Sequence, residues 1–135
     1  MVKVDKGIIK TEIQSININL TRINLPKINH LVIECEKVLI DIYDNINLLK
    51  ILDSITADLN LNVLNRIIHN FEPQGHSVVY ILKESHLAVH SWPELGYLHF
   101  DLVTCGNKAF SIKSVNKIFE NKLKPGKLKL IKINY

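Results

Sequence analysis

Apolar residues along this chain recur with two different periods, and the switches between them mark out the elements. A polar lead-in occupies residues 1–11, and over 12–20 isoleucine and leucine alternate with polar groups as in a half-exposed strand. Leu25-Pro26 breaks that pattern. Ile28–Glu34 (INHLVIE) reads as a strand. From Asp41 to Leu59 the residues Ile42, Ile46, Leu49, Leu52 and Ile55 recur mostly at steps of three and four, which predicts an amphipathic helix. Leu61–Ile68 returns to a strand pattern.

Phe71-Glu-Pro-Gln-Gly75 is punctuated as a loop, and two strands follow around a tight connection, His76–Leu82 and His86–Trp92. Pro93-Glu-Leu-Gly96 makes a second turn before a strand at Tyr97–Cys105. Phe110, Val115, Ile118 and Phe119 then fall at helical spacing within Ala109–Leu123. Pro125-Gly126 stops that helix, and Leu128–Ile133 alternates as a last strand. Short connections make consecutive strands antiparallel neighbours. The expected fold is α/β, a two-layer sandwich with a mainly antiparallel sheet covered by two helices. No linker or repeat divides the chain, so residues 1–135 are read as a single domain.

Composition narrows this picture only slightly. A 135-residue monomer buries about two thirds of its unfolded surface, enough for one modest core, and a site needing many walls would borrow some from a second copy. The net charge of +4 is too small to specify a partner. Lys122, Lys124, Lys127, Lys129 and Lys132 crowd the C-terminal end, but no aromatic residues interleave with them as a stacking platform requires. They read as a solvated helix end and an outer strand face, so no nucleic-acid partner is expected. Two cysteines make no disulfide framework. Charges at Asp5, Glu12 and Arg22 and the lack of a long apolar run point to no signal peptide and no membrane span. The default expectation is a cytoplasmic protein.

Candidate chemistry concentrates between residues 76 and 105. Alternation puts Ser77, Val79 and Ile81 on one face, then His86, Ala88 and His90, then His99, Asp101, Val103 and Cys105. A connection centred near residues 83–84 sets Ser77 opposite His90, and one centred at Glu94-Leu95 brings Cys105 beside Glu84-Ser85. Cross-strand neighbours lie about 5 Å apart at Cβ, so Ser77, Ser85, His90 and Cys105 are expected to converge. Residue types alone leave three readings of that group. One is nucleophilic hydrolysis by Cys105 or Ser85 activated by His90. Another is a metal bound by His86, His90, His99 and Cys105, although that spacing matches no closed zinc site and no metal is expected. The third is a set of ordinary half-buried polar residues.

The motifs themselves go further. Glu84-Ser-His-Leu-Ala-Val-His-Ser-Trp-Pro-Glu94 (ESHLAVHSWPE), Gly96-Tyr97 and Asp101-Leu-Val-Thr-Cys-Gly106 (DLVTCG) resemble the prokaryotic S-adenosylmethionine decarboxylase proenzyme family. Phe71–Ser77 (FEPQGHS) is similar to that family's F-x-P-x-G-x-S segment, and His30–Glu34 to its opening strand. The likeness runs from about residue 29 to about 110.

The resemblance implies a self-cleaving precursor whose Ser85 hydroxyl attacks the Glu84 carbonyl. Ser77 would hold the tetrahedral intermediate, and His90 would remove the Cα proton of Ser85. Cleavage between Glu84 and Ser85 then leaves fragments 1–84 (the family's β chain) and 85–135 (its α chain), the latter opening with a covalent pyruvoyl cofactor made from Ser85. By the same resemblance the pyruvoyl carbonyl joins the substrate amine as a Schiff base, and Cys105 returns a proton to the α-carbon. Glu34, Trp92 and Glu94 would contact the substrate, S-adenosylmethionine. The product is the aminopropyl donor for spermidine, and the working unit is a homodimer with sites at the subunit interface. Relatives of this fold decarboxylate arginine, so arginine or ornithine is an alternative substrate, and a non-processing regulatory homologue a further alternative.

The chain departs from the family at several points. Ile28-Asn29-His30 replaces the usual Gly-Arg-His, His76 replaces a small apolar residue, and Cys35 replaces an aromatic one. The N-terminus is longer, and the tail after Lys108 is compressed.

Overall fold

In the computed structural model, residues 2–6, 9–18 and 24–135 are described, and all statements below concern these. The strands are β1 (Val2–Lys6), β2 (Ile9–Asn17), β3 (Ile28–Glu36), β4 (Val63–Asn70), β5 (His76–Leu82), β6 (Ser85–Trp92), β7 (Tyr97–Cys105) and β8 (Lys127–Asn134). The helices are α1 (Asn45–Asp58) and α2 (Ile112–Leu123), with a 3₁₀ turn at Pro93–Leu95. Local chemistry sets the helix ends. The Asp44 carboxylate accepts from the Asn47 amide at 2.9 Å, so α1 starts there rather than at Asp41. Ser111 caps α2 in the same way, and Lys124 ends it in a left-handed conformation before Pro125-Gly126.

All eight strands join one sheet in the order β1-β2-β8-β3-β7-β6-β5-β4. This corrects the expected architecture, a two-layer sandwich with a mainly antiparallel sheet under two helices. The sheet is mixed, because β2 runs parallel to β8. It also dominates the fold. Eight strands span about 34 Å, whereas two helices side by side cover about 20 Å. The overhang is visible at β4, where seven of eight residues are exposed. The supposed lead-in is the other departure, since β1 and β2 form an antiparallel hairpin that extends the sheet. The strand read over 12–20 therefore begins at Ile9, and its last residues, 19–20, lie outside the described set. Buried Thr11 fastens that hairpin to α2 through a 3.3 Å hydrogen bond to the Asn116 side-chain oxygen.

Alternation along β3, β5, β6 and β7 separates the two sheet faces. One face carries Leu31, Ile33, Val78, Val89 and Phe100 into a core closed by Leu52 of α1 and Phe119 of α2. Phe100 and Phe119 meet edge to face with centroids 4.8 Å apart. Cys35 is fully buried in this core, and burial pushes its thiol far above the ordinary range. Among the described residues, the opposite face carries no helix. It is there that the polar residues gather.

His76, Ser91 and Thr104 depart from this as buried polar residues of the core side, and His76 Nδ1 lies 2.8 Å from the Ser91 hydroxyl. Burial drives the His76 imidazole below the ordinary 6.5, against weaker pulls from the Tyr43 backbone and the Asp44 carboxylate. The unfolded chain therefore binds a proton that the folded chain refuses, and stability falls as pH drops through about 6.5. Urea unfolding from pH 7.5 to 5 should show this loss, and His76→Val should lessen it. An unchanged slope in that variant would remove His76 from the account.

Candidate active site

The two short connections fix the geometry of the open face. The β5–β6 ladder pairs Ser77 with His90 and Leu82 with Ser85, and the β6–β7 ladder pairs Ser85 with Thr104 and His90 with His99. These are the registers expected from the turn positions. They create two polar clusters at opposite ends of the strands.

The first cluster surrounds the β5–β6 turn. Ser85, half-buried, opens β6 with φ at +146°, a region that favours glycine and costs a residue with a side chain about 1–3 kcal/mol. The carbonyl oxygen of Glu84 accepts the Cys105 amide at 3.0 Å, and the Cys105 side chain is itself half-buried. The Ser85 hydroxyl lies 3.4 Å from Nδ1 of His86. Nε2 of His86 is 3.3 Å from one Asp101 oxygen, and Nε2 of His30 is 2.7 Å from the other. Nδ1 of His30 in turn lies 3.0 Å from the Tyr135 hydroxyl. Burial opposes ionisation of Asp101, but the bonds from His30 and His86 outweigh it and hold the carboxyl below its ordinary value.

The second cluster lies toward the other end of β6. Ser77 Oγ and His90 Nδ1 are 2.6 Å apart. Trp92 packs between His90 and Tyr97, with ring centroids 6.4 and 5.3 Å away. Glu34 on β3 pairs directly with His99, and burial together with a hydrogen bond to Glu34 pushes the Tyr97 phenol upward. Glu94 accepts from the Gln74 amide at 3.3 Å.

The expected convergence of Ser77, Ser85, His90 and Cys105 therefore does not occur within one chain. Ser77 meets His90 and Cys105 meets Glu84-Ser85, but Ser85 and His90 stand five positions apart on one extended strand, about 16 Å at about 3.3 Å per residue. Conversely, His30, Asp101 and His86 form a chain to Ser85 that was not foreseen. Alternation had placed His86 and Asp101 on compatible faces, but His30 arrives only through the long-range pairing of β3 with β7. Among the described residues no group of three or more histidine, cysteine, aspartate or glutamate side chains is disposed to hold a metal ion.

Comparison with known proteins resolves the family. The sequence profile described as S-adenosylmethionine decarboxylase matches residues 29–134. A protein of Methanococcus vannielii named S-adenosylmethionine decarboxylase proenzyme is 36% identical over 107 residues, covering 77% of this chain and 85% of the relative. The chain belongs to the S-adenosylmethionine decarboxylase family. A proenzyme of the same name from Acetivibrio thermocellus is 41% identical over 80 residues, 58% of this chain and 64% of that one. The crystal structure of the adenosylmethionine decarboxylase from Aquifex aeolicus superposes with a TM-score of 0.64 at 23% identity, covering 78% of this chain and 87% of that one. That likeness concerns the fold, and it places the sheet-dominant architecture in the family. Both polar clusters fall inside the matched region, except for Tyr135. The β1–β2 hairpin falls outside it.

No helix among the described residues is long and apolar enough to cross a membrane.

Proposed function

We propose that this chain decarboxylates S-adenosylmethionine after cutting itself between Glu84 and Ser85. The observation that carries this reading is the local geometry of that bond in a chain of this family. A serine strained at φ +146° follows a carbonyl already polarised by the Cys105 amide. Addition of Ser85 Oγ to the Glu84 carbonyl carbon moves negative charge onto the oxygen that this amide holds. When the carbon–nitrogen bond breaks, the peptide becomes an ester, and the strain at Ser85 is relieved. Removal of the Ser85 Cα proton then expels Glu84 as a carboxylate. Water completes the conversion of residue 85, releasing ammonia.

Ser77 and His90 are too far along the strand to serve the Ser85 of their own chain. A homodimer in which the open faces meet about a twofold axis brings the partner subunit's Ser77 and the partner subunit's His90 over Ser85. Exposed apolar residues on this face support such a contact, with Ile67 61% and Trp92 41% accessible in the single chain. Each site then combines one cluster from each copy. The partner's His90 takes the Cα proton, and the partner's Ser77 steadies the tetrahedral stage.

Ser85 suits a pyruvoyl precursor, since the three carbons of such a group are those of the serine itself and its keto oxygen comes from the water that releases ammonia. Such a group supplies a carbonyl electrophile for the substrate's α-amine and a sink for the electron pair left as CO₂ departs. Cys105 Sγ returns a proton to the substrate's α-carbon. Glu34, Trp92 and Glu94, gathered in the second cluster, offer two carboxylates and an aromatic face to a cationic sulfonium nucleoside. CO₂ release from S-adenosylmethionine, arginine and ornithine should show turnover of the first alone. Release from arginine or ornithine in its place would reassign the substrate, and release from none would defeat the reading.

A further inference from the structure

Self-cleavage requires that the Ser85 hydroxyl lose a proton and that the departing Ser85 nitrogen gain one. Within the chain, the imidazole that reaches this hydroxyl is that of the next residue, His86, at 3.4 Å. Its other nitrogen faces Asp101, and so does Nε2 of His30. An ionised carboxylate only accepts hydrogen bonds, so both imidazoles present Nε2–H to Asp101. That fixes both tautomers. Nδ1 of His30 is left to accept the Tyr135 hydroxyl, and Nδ1 of His86 is left bare toward Ser85. The arrangement has the roles of a nucleophile, a base and an orienting carboxylate, with a second histidine anchoring that carboxylate from the far side.

We infer that His86 is the proton shuttle of the first step of self-cleavage, and that Asp101 and His30 are positioning residues that hold it in its basic tautomer. The inference rests on the reading of the chain as a self-cleaving decarboxylase and assigns a group that reading leaves open. The Oγ–H proton passes to His86 Nδ1 as Oγ bonds to the Glu84 carbon. The same proton then passes to the Ser85 nitrogen as the carbon–nitrogen bond breaks, leaving an ester, a free amine and a neutral imidazole. Nothing else is consumed. While the proton rests on His86, Asp101 faces the resulting cation. The residues opposite His86 on the neighbouring strands, Ile81 and Val103, carry no charge. The ionisable groups around it are Asp101 and Cys105 on β7, His30 on β3, Tyr135, and Lys83 and Glu84 in the adjoining turn.

The test reads ester formation apart from the later step. In a His90→Ala background the ester should persist, and hydroxylamine cuts esters but not peptides, so intact mass after a hydroxylamine pulse reports the first step alone. Between pH 5 and 9 the rate should fall on the acid side as the imidazole protonates. Adding His86→Gln should slow it about 100-fold or more and abolish the acid limb. Added imidazole should restore part of the rate to His86→Ala. Asp101→Asn should slow the step and move the limb to lower pH, an effect that loss of packing alone would not produce. Circular dichroism checks that each variant is folded, and the Asp101 variant carries the test if the His86 variants are not. An unchanged rate and limb in His86→Gln, or an unmoved limb in Asp101→Asn, overturns the shuttle while leaving self-cleavage intact. A His86-competent chain that forms no ester at any pH overturns self-cleavage itself.

Discussion

Ser85→Ala should remain one chain through prolonged incubation, and should release no CO₂ above background from S-adenosylmethionine. The hydroxyl is the nucleophile of the proposed cleavage, and position 85 is afterwards the only source of the carbonyl electrophile. No neighbouring side chain can replace it in both roles. Cys105 and His86 are near, but neither is covalently placed to become the first residue of a new chain. Folding should be nearly untouched. Ser85 is half-buried, its hydroxyl makes a long contact with His86, and alanine is no more strained than serine at φ +146°. A change within about 0.5 kcal/mol is expected for so small a truncation. Denaturing electrophoresis with intact mass on parent and variant decides the matter. Two fragments from the parent and one chain from the variant are expected, and a variant that is cut at residue 84 would sink the mechanism.

The second large effect concerns where His90 acts. If His90 works on the Ser85 of the other copy, Ser85→Ala and His90→Ala chains are each inactive alone but complementary in a mixed dimer. One of the two sites then combines an intact Ser85 with an intact His90. Co-expressed with different tags, the pair should regain decarboxylation, with roughly a quarter of all chains cut under random pairing. Every cut chain should carry the His90→Ala tag. A mechanism confined to one chain predicts no rescue at all, because no chain holds both residues. The contrast is nearly all-or-none. Cuts in chains carrying Ser85→Ala would contradict both accounts.

The part of the fold between residues 76 and 105 was legible because its connections are short. A two-residue turn at Lys83-Glu84 leaves little freedom, and the pairing of Ser77 with His90 follows from its position. Helix α2 was equally readable from its apolar spacing and its Pro125-Gly126 stop. What escaped was everything that depends on contacts far apart in sequence. No local signal puts β3 between β7 and β8, or sets β2 parallel to β8, because these pairings join residues separated by about half of the chain or more. The N-terminal residues, read as a lead-in, become strands only because β8 offers an edge to pair with. The same limit governs the candidate site. Ser85 and His90 look adjacent in sequence, yet five residues of extended chain carry them far apart. His30 and Asp101, distant in sequence, are 2.7 Å apart in space. The family motifs supplied the residue types, and the geometry redistributed them between two ends of one strand.

The strand order has a consequence for the cut molecule. Cleavage before Ser85 would assign β1 to β5 and α1 to one fragment, and β6, β7, α2 and β8 to the other. Across the sheet these alternate like the fingers of clasped hands, with β8 set between β2 and β3, and the β7–β6 pair between β3 and β5. Four ladders, β2–β8, β8–β3, β3–β7 and β6–β5, would then bind one polypeptide to the other. Each fragment would keep only two-stranded pairs, β1–β2 and β4–β5 in one and β6–β7 in the other, which are marginal by themselves. The scission would thus be mechanically silent in the native state yet permanent in the life of the molecule. A chain that once could refold alone would depend, after maturation, on finding its other half.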